Sequence, residues 1–285
     1  MLPTLVLSLA LAPANDPAGP KYFPSAFVRP DVPFGFLYQP ARDTEPLARY
    51  PARYYCPQPG DVLLLSNTGP VWSLLYAAAG TWKPGHAGLV VRMHDGRLGL
   101  FEAGYNETLW TRLTPLDYRI NAYPGQVWVR RRTTPITPLQ DARLTWFAET
   151  ESNKLYGMVS LSSQITPFRT RGPIRTFFVG KPRGPGHSYS CSEAMLEALV
   201  FAGLVNHETA RPSATYPRDM FFDRSPNIYI DRHPPLAAGW EVPSLWTPVV
   251  GWTAKGKERP AVGVETTVEL PPSTRPRSPN YVPRW

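Results

Sequence analysis

Proline stands at about every eighth position of this chain, 35 times in 285 residues, against an ordinary share of about 5%. A proline inside a helix removes a ladder hydrogen bond and collides with the turn before it, at a cost of about 3 kcal/mol or more. Long helical repeats and coiled coils are therefore excluded. Glycine adds 21 residues, which still leaves the chain short of the roughly 25–30% Pro-plus-Gly share of wholly low-complexity sequences. Apolar residues make up 42% and charged residues 18%, so there is material for a core and no sign of a highly charged disordered chain. The reading is a globular core with Pro-rich arms. The arms are placed at 15–55 and 226–285, the core at 56–225.

The first residues, MLPTLVLSLALAPAND, form an apolar run too short to span a bilayer, which takes about 20 residues. Small residues then alternate up to Ala14. Residues 1–14 read as a signal peptide without a basic n-region, so the protein is expected to be secreted, periplasmic or in the cell envelope. No other segment has transmembrane length. The net charge of +8 suits an acidic polymer or an anionic surface without selecting one. No aromatic RNA-recognition motif is present, and nucleic acid is not expected. Glycine-rich phosphate loops and a G-x-S-x-G elbow are also absent.

Along the core, Gly60-Asp61 opens an apolar strand at Val62-Leu63-Leu64-Leu65. Residues 70–79 begin with proline and run apolar, like a short helix. His86–Met93 and Leu98–Ala103 flank Asp95-Gly96 as a hairpin. Residues 108–113 and 126–132 alternate like strands, and 139–151 is helix-like. The stretch 166–186 is basic and loop-rich. Ser190 and Glu193 then fit the S-x-x-E capping box of a helix that stops at Gly203.

That box puts Cys191 at the first helical position. There, unpaired N–H groups and the positive end of the helix dipole favour the nucleophilic thiolate and can hold a developing oxyanion. Taken alone, the same cysteine also reads as a small buried hydrophobe. His86, at a strand start, can accept or return a thiol proton. Glu102, between apolar neighbours on the returning strand, needs a partner, and orienting an imidazole is one such role. The hairpin constrains this idea. A two-residue Asp95-Gly96 turn would set His86 opposite Tyr105 and turn Glu102 to the other sheet face. An odd-length loop or a bulge would bring them to one face.

The run Gly60-Asp61-Val62-Leu63-Leu64, then Gly85-His86-Ala87-Gly88-Leu89-Val90-Val91, then Asp95-Gly96 and Phe101-Glu102-Ala103, resembles the second half of NlpC/P60 enzymes. In those enzymes the nucleophile precedes the GD-strand, whereas Cys191-Ser192-Glu193 follows the hairpin here. That order resembles the circularly permuted papain-like group, which includes YiiX/YaeF-like amidases and lecithin:retinol acyltransferase-like proteins. The resemblance covers roughly 56–225. It implies an α+β fold, an antiparallel sheet packed against helices, with 56–225 as the catalytic domain. It also implies a cysteine hydrolase of the amidase or peptidase kind, or an acyltransferase, with Cys191 as nucleophile, His86 as base and Glu102 as third member.

An amide- or ester-containing substrate is expected, either cell-wall peptide or lipid. Trp72 and Tyr76 are expected to shape an apolar substrate wall, and His187 and Tyr189 to line the pocket. His187 lies four residues before Cys191, but no second pair has ligand spacing, so no metal or other cofactor is implied. Cys56 reads as structural. Were it bridged to Cys191, the fold would be a non-catalytic binding module of the envelope.

Overall fold

The structure is a computed structural model, and it describes residues 34–39, 52–66, 77, 82–104, 110–157, 170–172, 174–248, 251–252 and 258–259. Residues 1–14, Trp72, Tyr76 and the rest of the expected 70–79 helix except Ala77 lie outside them.

Eight strands form one sheet: β1 (Phe36–Tyr38), β2 (Arg53–Tyr54), β3 (Val62–Ser66), β4 (His86–Arg92), β5 (Leu98–Ala103), β6 (Thr111–Pro115), β7 (Gln126–Arg130) and β8 (Ser244–Thr247). Their order is β2-β1-β8-β7-β3-β4-β5-β6, and every neighbouring pair is antiparallel. The helices are α1 (Leu116–Asn121), α2 (Pro138–Glu151), α3 (Arg175–Phe178), α4 (Cys191–Phe201), α5 (Pro217–Phe222) and α6 (Ile228–Arg232). This is an α+β protein, an antiparallel sheet against helices.

The central strands are apolar on successive residues because both faces of the sheet are covered. Val62, Leu64, Ala87, Leu89, Val91 and Phe101 face one core with α2 and α4, where Leu144, Phe147, Met195 and Leu199 meet them. Leu63, Leu65, Val90, Leu100, Val127 and Val129 face the other, closed by Leu116 and Ile120 of α1 and by Tyr55 and Trp246. Truncating a fully buried leucine such as Leu89 to alanine costs about 2–5 kcal/mol. Helix α2 starts at a complete capping box. Gln140 N–H donates to Thr137 Oγ1 at 3.3 Å and Thr137 N–H to Gln140 Oε1 at 2.9 Å, with Pro138 at the first helical position.

The sheet does not stop at the expected core boundaries. β1 and β2 come from the 15–55 arm and β8 from the 226–285 extension, with Leu37 paired to Trp246. The reason is apolar and hydrogen-bonding content that a proline count hides. Trp246 Nε1 donates to Phe34 O at 2.7 Å and Trp240 Nε1 to Gly60 O at 2.8 Å. Arg130, almost wholly buried, donates to the carbonyls of Leu236 at 3.1 Å and Glu241 at 2.9 Å.

Candidate active site

The β4–β5 hairpin decides which residues meet. Met93 N–H donates to Arg97 O at 2.8 Å and Gly96 N–H to Met93 O at 2.9 Å. The loop is therefore His94-Asp95-Gly96, three residues rather than two. Gly96 takes φ +82°, the left-handed conformation that a three-residue hairpin with a bulge requires. Pairing becomes Arg92 with Leu98 and Gly88 with Glu102. This one-residue shift turns Glu102 to the face that carries His86, because side chains alternate along a strand. The His86 and Glu102 side chains are then diagonal neighbours, with Nε2 2.7 Å from Oε2.

Both groups are buried, so their charges matter. Burial opposes ionisation of Glu102. The His86 hydrogen bond and the Arg119 guanidinium override it and hold the carboxyl at about 2. Arg119, itself buried, donates through Nε to Oε1 and through Nη2 to Oε2 at 3.0 Å. It reaches Glu102 because α1 follows β6 without a loop and packs under the same sheet face. An ionised carboxylate only accepts, so His86 presents Nε2–H to it and Nδ1 remains for a second partner.

Cys191 also acts on the His86 ring. The N-terminus of α4 comes to the end of the sheet where β4 begins, with the thiol 3.9 Å from Gly85 O. Burial alone would lower the proton affinity of His86. Hydrogen bonding to Cys191 and to Glu102 reverses this and raises it to about 9. The imidazolium is thus the favoured form at neutral pH. Cys191 stands at the first position of α4, with Ser190 N–H donating to Glu193 Oε2 at 3.2 Å. Its own N–H lies outside the helix ladder, as at every helix start. Cys191 and Cys56 are both free thiols.

The segment leading into Cys191 is strapped by buried carboxylates. Glu197 accepts from Arg183 N–H at 2.9 Å and Gly184 N–H at 3.0 Å. Glu193 accepts from Arg183 Nη2 at 2.7 Å. Glu151 accepts from Gly186 N–H at 3.1 Å and from Lys154 Nζ at 2.8 Å. Tyr189 belongs to this strap. Its ring is fully buried near Phe147 and its hydroxyl donates to Gly184 O at 2.8 Å. It supports the loop that leads into Cys191. His187 is exposed on the same loop. The structure thus brings Cys191, His86 and Glu102 together, and adds Arg119 and the three straps. Arg119 sits in no sequence motif. The one signal for it is the need of a buried Glu102 for a cation.

Sheet, covering helices and a buried Cys-His-Glu-Arg cluster define an α+β protein with a polar site at a helix start. No known family profile matches the chain, and no curated protein matches it. Among solved structures, the chain is similar to the metalloprotein yiiX from Escherichia coli O157:H7, of DUF1105. The identity is 19%, over 55% of this chain and 69% of that one, with a TM-score of 0.36. Among the described residues, no three His, Cys, Asp or Glu side chains gather in a way that could hold a metal ion. No helix among them is long and apolar enough to cross a membrane.

Proposed function

We propose that the protein is a cysteine-dependent hydrolase of amides or esters, with the circularly permuted papain-like arrangement. The observation that carries this reading is the His86 ring bound to Glu102 at 2.7 Å, with the Cys191 thiol 3.9 Å from the carbonyl of Gly85, the residue before His86. The chain order of the three, histidine then glutamate then cysteine, supports the permuted arrangement.

In the reaction, the Cys191 sulfur attacks the substrate carbonyl carbon and forms a C–S bond. The His86 imidazolium gives its proton to the leaving amine or alcohol as the C–N or C–O bond breaks. Water then adds to the thioester, His86 takes a proton from it, and the C–S bond breaks to release the acid and restore the thiolate beside the imidazolium. Glu102 fixes the tautomer and stabilises the imidazolium. The Cys191 N–H is available to the oxyanion. Cell-wall peptides and lipids are the two substrate classes the reading admits, and the signal-like residues 1–14 support export.

Iodoacetamide labelling against pH, mapped by mass spectrometry on unreduced protein, tests the pair. Cys191, a free thiol, is expected to label in the unreduced protein at neutral pH. His86→Ala should slow that labelling, and Cys191→Ala should abolish turnover of thioester and amide substrates with folding intact. Labelling only after reduction, or labelling that His86→Ala leaves unchanged, would sink the hydrolase reading.

A further inference from the structure

We propose that the segment Ile174–Lys181 docks on the surface of an anionic lipid bilayer. Between Glu151 and Glu193 the chain contains no aspartate or glutamate. Of the cations described in that stretch, Lys154, Arg171 and Arg183 are paired with Glu151, Asp219 and Glu193. Arg175 and Lys181 are exposed, and among the described residues neither has an acidic partner. Between and beside them stand Ile174, Phe178 and Val179. Ile174 is 73% exposed and Phe178 is 78% exposed, the two most exposed large apolar side chains described.

This apolar tip is held in place by a buried polar network. Thr176 Oγ1 donates to Gly172 O at 2.9 Å and accepts from Asn227 Nδ2 at 2.8 Å. Arg211 Nε donates to Thr176 O at 2.8 Å. Phe177 packs one side on Tyr229, with ring centroids 5.0 Å apart, and keeps its other side exposed. Gly180 leaves the turn at φ +85°. The network fixes the backbone while Ile174 and Phe178 point away from the core, which is the reverse of what burial would select.

Contiguous exposed apolar surface rimmed by unpaired cations is the pattern of an interfacial membrane contact. Apolar side chains enter the headgroup boundary and the cations meet anionic headgroups. A soluble polyanion would use Arg175 and Lys181 but leave Ile174 and Phe178 in water, so the exposure pattern favours the bilayer. The proposal is independent of the chemistry at Cys191.

The test is co-sedimentation of the full chain with vesicles of phosphatidylglycerol and phosphatidylcholine, alongside pure phosphatidylcholine vesicles and soluble heparin. Ile174→Ser/Phe178→Ser and Arg175→Gln/Lys181→Gln are compared with the wild type. Both variants leave Thr176 and Asn227 untouched, and an unchanged melting temperature verifies their folding. Expected is binding to the anionic vesicles that weakens about tenfold in each double variant, weakens in pure phosphatidylcholine, and weakens as salt rises from about 0.1 to 0.5 M. Absence of vesicle binding would overturn the proposal. So would binding that survives Ile174→Ser/Phe178→Ser, whether another part of the chain or charge alone then carries it. Heparin binding equal to vesicle binding and insensitive to the apolar variant would assign the patch to a soluble polyanion instead.

Discussion

His86 keeps its proton to about pH 9 because Cys191 and Glu102 both favour the imidazolium against the penalty of burial. Since the leaving group needs that proton, kcat/KM is expected to fall on the alkaline side near pH 9. Glu102→Gln removes the anion but keeps the shape, so the alkaline limb should move down by about one unit or more, read from the pH–rate profile. A limb that stays put would show Glu102 uncoupled from the base. The same shifts act on stability. The raised His86 contributes stability that is whole below 6.5 and lost as pH rises toward 9. The lowered Glu102 contributes stability that is whole above 4.5 and lost as pH falls toward 2. These two groups therefore stabilise the fold most between about pH 4.5 and 6.5. Arg119 acts on the site through Glu102 and is a positioning residue. Arg119→Ala strands a buried carboxylate and should cost about 3–5 kcal/mol in urea unfolding. Arg119→Lys restores the charge with fewer hydrogen bonds, so it should recover part of that stability and leave the alkaline limb closer to that of the wild type.

At the scale of elements, the nucleophile's position depends on a loop held by carboxylates from two helices. Glu151 of α2 holds Gly186, while Glu193 and Glu197 of α4 hold Arg183 and Gly184. Glu151→Gln keeps an acceptor but loses the charge that serves both Gly186 and Lys154. Trypsin cleavage at Arg183–Gly184 in the native protein should then accelerate by about threefold or more, as local opening becomes cheaper, while cleavage in urea stays unchanged. Glu197 behaves differently. Burial, with Glu193 adding to it, outweighs the two N–H donors and raises its carboxyl to about 7. Its ionisation thus opposes folding progressively from 4.5 to about 7, and the melting temperature of Glu197→Gln relative to the wild type should rise with pH across that window. The capping box at Ser190 and the apolar runs at β3, β4 and β5 were readable in sequence because each is a local pattern. The hairpin register was not. An Asp-Gly pair serves both two- and three-residue loops, and only where Gly96 falls in the turn decides between them. Helix α1 escaped for a related reason: six residues directly after Pro115 are too few to show a helical period, and Arg119 went unseen with it.

For the whole molecule, the sheet closes through residues far apart in sequence, and this is where reading the chain as a core with arms fell short. β1 has three residues and β8 four, lengths at which alternation carries no signal, and the pairing of Leu37 with Trp246 joins opposite ends of the chain. The prolines around them were read as marks of irregular arms, yet proline is tolerated where it ends a short strand. Trp246 settles what the extension is worth. It is nearly buried in the second core, stacks on Phe34 with centroids 5.5 Å apart, and donates to Phe34 O. In the full chain, Trp246→Ala should cost about 3–5 kcal/mol, the range for truncating a buried aromatic. Trp246→Phe keeps most of the ring and loses the N–H, so it should cost about 1 kcal/mol. A surface-laid tail would give a loss within about 0.5 kcal/mol for either change. Guanidinium unfolding followed by circular dichroism separates the two cases. A loss in the larger range makes β1 and β8 part of the folding unit that holds β7 and β3 in place, and through them the strand that starts at His86.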